Sequence, residues 1–131
     1  MATGQKITNS GLNIMLNRTF KSSPDYTAPS LFKIGTGTTT PTISDTDLET
    51  PVNIDGDNFK SFVSGYPIIN ETNLDITFRC LVSTNEANGN SLTEFGIVNT
   101  DSTKKLFSRA VHTPISKTSG IIISYIEKDK F

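Results

Sequence analysis

The sequence has no tryptophan, one histidine and one cysteine. A lone Cys80 rules out an intrachain disulfide and the paired-cysteine zinc motifs. A lone His112, followed by Thr113-Pro114, has no nucleophile or carboxylate motif beside it, so a strand-end surface histidine is expected rather than a catalytic one. Long apolar runs are also missing. The longest is Ile121-Ile122-Ile123, against the roughly 20 residues of a membrane-spanning helix, so no membrane partner is expected. Charge of one sign is missing too: 12 basic and 13 acidic side chains leave a net charge of −1. The basic residues are scattered rather than gathered into a stripe, and the tail Glu127-Lys128-Asp129-Lys130 cancels itself, so no nucleic-acid partner is expected. The opening Met-Ala-Thr-Gly-Gln-Lys lacks the apolar segment of a secretory leader. Synthesis and folding in a cytoplasm follow as the expectation, and the N-x-T triplets at Asn17 and Asn70 read as chance matches.

What is present is patterned. The 131 residues suit a single domain, 1–131, large enough to bury about two-thirds of its unfolded surface. Hydrophobic and charged fractions of 34% and 19% leave room for Thr, Ser and Asn, which favour half-exposed strands and ordered turns. Leu12, Met15, Leu16 and Phe20 share one face of a helix over about 10–19, with Ser10 as its cap. Leu31–Ile34 and Phe59–Val63 read as short strands, and Ser44–Leu48 as one capped helical turn with Leu48 pointing inward. Leu74, Ile76, Phe78, Cys80 and Val82 alternate with Asp75, Thr77, Arg79 and Ser83, the clearest period-2 run in the chain, broken only by Leu81 on the polar face. Strands at Leu92–Val98, Leu106–His112 and Ile121–Glu127 follow, giving a meander over about 74–127. The last has apolar residues on both faces and is expected to be a central or interface strand, with Ile122 and Ile126 on the interface side. The fold class is therefore mainly β: an antiparallel β-sandwich of about six or more strands with a short N-terminal helix.

Candidate chemistry is sparse. Cys80 lies on the apolar face of its strand, where an inert thiol is expected. Gly35-Thr36-Gly37-Thr38-Thr39-Thr40 resembles a phosphate loop but lacks the Gly-Lys-Ser/Thr ending and the following helix. Asp55 and Asp57 are the only candidate metal ligands. Counting a calcium loop from Asn53 puts Asn58 and Ser64 where Gly and Glu are needed, so a solvated turn is expected. No catalytic residue and no cofactor follow from any of these motifs. One pair has a structural meaning: with a hairpin turn centred between Asp101 and Ser102, Glu94 stands directly opposite Arg109 and forms a cross-strand ion pair.

The ordered segments Ile7–Leu12, Phe32–Gly37, Ser44–Leu48, Glu86–Gly89, Glu94–Asn99, Ser108–Val111 and Thr113–Gly120 resemble small structural proteins of tailed phages, from about Ile7 to Ile126. That resemblance implies a non-enzymatic virion component, an adaptor at the tail, baseplate or fibre, or a decorator of the capsid. Its partners would be other virion proteins and further copies of itself. Residues Asp55–Asn58 and Tyr66-Pro67 depart from the pattern. A carbohydrate-binding sandwich that adsorbs to a host surface is the alternative, though eight Phe and three Tyr without Trp do not gather on one strand.

Overall fold

The computed structural model describes residues 6–131; the segment 1–5, read above as part of a leaderless start, lies outside the described residues. Among the described residues the elements are β1 (Lys6–Ile7), α1 (Asn9–Phe20), β2 (Pro29–Gly35), β3 (Lys60–Ser61), β4 (Ile68–Asn70), β5 (Asp75–Val82), β6 (Ser91–Asn99), β7 (Leu106–Ser116) and β8 (Ile123–Lys130). Two antiparallel sheets form, ordered β1-β7-β6-β2-β3 and β4-β5-β8. Their inner faces meet in one core: Phe32, Ile34, Phe95, Ile97 and Phe107 from the first, and Phe78, Cys80, Val82 and Ile123 from the second. Phe78 and Phe107 join the layers with ring centroids 5.8 Å apart. The architecture is the expected mainly β one, but its connections are not a meander. The chain leaves β5 for the other sheet at β6, and returns from β7 to β8. Alternation decides which face a side chain takes and is silent about which sheet the next strand joins. The crossing segment is held by buried contacts: Glu86 accepts from Lys60 Nζ (2.7 Å), and Ala87 donates to the Ile54 carbonyl (3.1 Å).

The N-terminal helix differs from the expected one in its cap and in its buried face. Thr8, not Ser10, caps it, its hydroxyl accepting from the Gly11 N–H at 3.0 Å. Gly11 and Ile14 are buried, while Leu12, Leu16 and Phe20 are exposed. The cause is a close approach to β7: a Cβ at Gly11 would lie 2.2 Å from the Phe107 carbonyl oxygen, so only a residue without one lets this side of the helix touch the strand. The segment Ser44–Leu48 is not helical. Thr42 and Asp45 close a turn, with the Asp45 carboxylate accepting from the Thr42 N–H and hydroxyl, although Leu48 is indeed buried. Of Phe59–Val63 only Lys60–Ser61 is strand, and the expected last strand begins and ends later, at Ile123–Lys130. It forms the edge of its sheet rather than the centre, which β5 takes.

Candidate functional site

Three places gather polar or exposed apolar side chains. The first lies on the outer face of the larger sheet. β6 is antiparallel to β7 with Gly96 opposite Arg109 and Glu94 opposite Val111, a register two residues away from the one expected. Val98 opposite Leu106 is already one residue from the expected register, so the turn supplies one residue of the offset and the irregularity between Ile97 and Val98 the other. Because the shift is even, Glu94 and Arg109 keep the same face and meet diagonally, Arg109 Nε donating to Glu94 Oε1 at 3.0 Å. Both are buried, at 0% and 2% side-chain exposure. Arg109 Nη1 also donates to Asp45 Oδ2 at 3.1 Å.

Glu94 does more than pair. Its Oε1 accepts from the Glu49 N–H (2.9 Å), and its Oε2 from the N–H groups of Gly37 (2.8 Å) and Thr50 (2.7 Å). The glycine-rich stretch that resembled a phosphate loop therefore does cradle an anion, and the anion is the protein's own carboxylate. Backbone approach of this kind demands glycine: a Cβ at Gly35 or Gly37 would lie 2.5 Å from Glu94 Oε2. Lys33, buried beside this hub, donates to Asp47 Oδ1 at 2.9 Å. Burial alone would raise the Asp45 pKa, but the hydrogen bonds from Thr42 and the Arg109 guanidinium outweigh it and hold the carboxyl below its ordinary value.

The second place is the open side between β7 and β8, a groove of about 430 Å³ whose walls include Phe95, His112, Ile115, Ile123 and Tyr125. Tyr125 lies flat on Phe95, with ring centroids 4.6 Å apart and 5° between planes. His112 Nδ1 stands 2.9 Å from the Thr113 carbonyl and must donate to it, so Nε2 accepts from the Tyr125 hydroxyl at 2.8 Å. Both ring nitrogens are thus committed, and burial pushes the Tyr125 phenol up.

Deeper along β8 lies a feature that sequence reasoning missed. In Glu127-Lys128-Asp129-Lys130 the acids face inward and are buried, while the lysines are exposed. The signal was present as sign alternation with period 2, which puts like charges on one face instead of cancelling them. Glu127 accepts from Ser108 Oγ (2.9 and 3.0 Å) and shares a hydrogen bond with Asp129. Burial first, and the Asp129 carboxyl next, raise the Glu127 pKa well above its ordinary value. Burial, with a smaller push from Glu127, likewise raises the Cys80 thiol, which is 0% exposed.

The third place is the apolar exterior. Ile122 and Ile126 are exposed, at 59% and 66%, on and just before β8. Ile69, Leu74 and Phe131 are exposed along a second, almost wholly apolar groove of about 470 Å³ that also reaches Met15 and Phe107, and Ile68 is exposed on the other face of β4. Leu12, Leu16 and Phe20 make a further stripe on α1.

Asp55 and Asp57 are both exposed in a turn around Gly56, and no group of three or more His, Cys, Asp or Glu side chains among the described residues is placed to hold a metal ion. No helix among the described residues is long and apolar enough to cross a membrane. No family model matches the chain, and neither does any curated protein or solved structure.

Proposed function

We propose that this chain is a non-enzymatic building block or adaptor of a tailed-phage particle, with tail, baseplate or fibre attachment favoured and capsid decoration next. It would be made in the host cytoplasm and reside in the virion, contacting other virion proteins and further copies of itself. The observation that carries this reading is the distribution of exposed apolar side chains. They are spread over α1 (Leu12, Leu16, Phe20), the β4 region (Ile68, Ile69, Leu74, Phe131) and the β8 region (Ile122, Ile126). An enzyme or a receptor needs one concave site, whereas a part of an assembly touches neighbours on several sides and gains avidity from repetition. The polar groups support the same role. Glu94, Arg109, Asp45 and Lys33 are spent on fixing a loop to a sheet, and His112 on joining one strand to another. Mass spectrometry of purified particles tests the proposal: the chain is expected at a fixed copy number, and its absence from them would overturn it.

A carbohydrate-binding role in host adsorption is favoured by one observation, the groove between β7 and β8 that Tyr125, Phe95 and His112 help to line. A glycan array should then give hits that Tyr125→Ala removes; an array without hits ends that alternative.

A further inference from the structure

β8 is an edge strand, paired on one side with β5. Phe131 donates its N–H to the Leu74 carbonyl (2.8 Å), and the β5–β8 register is regular over eight consecutive pairs. Continuing that ladder directs the backbone groups of Ile123, Tyr125, Glu127 and Asp129 to β5, and those of Ser124, Ile126, Lys128 and Lys130 away from it. The opposite flank of β5 is closed by β4, by the Val63 N–H on the Arg79 carbonyl (2.9 Å) and by Lys60 Nζ on the Leu81 carbonyl (3.0 Å). β8 has no such cover among the described residues. It has no proline and no bulge; of the devices that discourage edge pairing it carries the exposed Lys128 and Lys130 and the inward-facing Glu127 and Asp129, all four of which the pairing below sets opposite uncharged side chains.

We infer that β8 pairs antiparallel with β8 of a second copy about a two-fold axis at Ile126, joining two three-stranded sheets into one of six. The inference rests on the building-block reading and names what one of its contact surfaces receives. Charge selects the register. With Ile126 opposite Ile126 of the second copy, Ser124 faces Lys128 and Ile122 faces Lys130, so the lysines oppose neutral side chains. On the inner side Tyr125 faces Glu127 and Ile123 faces Asp129. Moving the axis one residue toward the C-terminus sets Glu127 directly against Glu127 of the second copy, two buried acids in contact. Moving it the other way carries Lys128 as well as Lys130 beyond the partner's Ile123, shortening the paired stretch and losing ladder hydrogen bonds. A two-fold contact of this kind is self-complementary and closes on itself.

Substitution of the full chain at three exposed positions of β8 tests the register. Cys80 is fully buried, so an introduced thiol is the one that an oxidant reaches. Ile126→Cys is expected to cross-link to the mass of a dimer, because Cα atoms across an antiparallel pair fall within disulfide reach. Ser124→Cys and Lys128→Cys should each give only background cross-linking alone, and a heterodimer when mixed. In light scattering the unmodified chain should show dimer mass, Ile126→Lys monomer mass, and a mixture of Ile126→Lys with Ile126→Glu the dimer again. A chain that is monomeric at every concentration, or an Ile126→Lys variant that stays dimeric, overturns the inference. Finding the monomeric chain in purified particles would sink the strand pairing and leave the building-block reading standing. A dimer with the predicted cross-links that is missing from particles would do the reverse.

Discussion

Replacing Glu94 by glutamine keeps the shape of the side chain and removes its charge from a site with no access to water. The carboxylate accepts four hydrogen bonds, from Arg109 Nε and the N–H groups of Gly37, Glu49 and Thr50. Glutamine offers one oxygen, and its amide nitrogen meets donors with a donor. Arg109, 2% exposed, is then left with Asp45 as its single counter-ion, and Asp45 is itself 23% exposed. Removing one partner of a buried pair costs about 3–5 kcal/mol, because the other charge remains desolvated. Against a total stability of about 5–15 kcal/mol this is a large fraction. At this chain length it corresponds to a fall in Tm of about 10–20 °C. Urea unfolding followed by circular dichroism reads it directly, and Arg109→Met completes a double-mutant cycle. Each single variant should lose about 3–5 kcal/mol, and the double variant less than their sum by about 2 kcal/mol or more. An E94Q protein within about 1 kcal/mol of the parent, or two strictly additive losses, would refute the claim that this pair fastens the loop to the sheet.

Three further outcomes follow from the same structure. Gly11→Ala separates two opposing effects: helix propensity alone would stabilise by about 1 kcal/mol, whereas overpacking against the Phe107 carbonyl, 2.2 Å from the new Cβ, should cost about 1–3 kcal/mol. A higher melting temperature would show that the helix shifts freely. Glu127→Gln should flatten the pH dependence of stability. The folded chain holds the Glu127 proton after the unfolded chain has released it, so that contribution is complete below the unfolded pKa and is lost as pH rises through the raised folded one. E127Q should therefore gain on the parent toward alkaline pH, and parallel stability profiles would contradict the buried acid pair. Asp45 and Glu86 act in the opposite sense: burial is outweighed by hydrogen bonds and a nearby cation, and their contribution is lost as pH falls. Cys80 should resist a thiol reagent in the native protein and react at the rate of unfolding; fast native labelling would place it elsewhere than the core.

What the sequence displays is face, and what it conceals is partnership. Alternation placed Phe78, Cys80 and Val82 inward correctly but failed at Leu74, which precedes the strand at positive φ and is exposed; parity put Glu94 and Arg109 on one face even though the register is offset. The same parity, applied to Glu127–Lys130, would have found two inward acids, had the charges not been summed. Sheet membership was beyond reach, because nothing in the spacing of residues 83–90 or 117–122 distinguishes a hairpin from a crossing. The helix misled for a related reason. Leu12, Leu16 and Phe20 do share a face, but the buried side is chosen by how closely the backbone at Gly11 can approach β7. Strands of two or three residues, such as β1, β3 and β4, are too short to carry a period.

The fastening of residues 36–50 by Glu94 has one more consequence. Glu94 grips that loop through its main chain, by amides that any residue but proline supplies. The positions whose own residue matters are Gly35, Gly37, the turn pair Thr42 and Asp45, Asp47 on Lys33, the buried Leu48, and Glu49, whose carboxylate accepts from the Thr38 and Thr39 amides. Side chains such as those of Thr40 and Ile43 are exposed and take no part in the grip. The loop can therefore accept new side chains while its path stays fixed. At those exposed positions the path of the chain and the identity of its side chains are uncoupled.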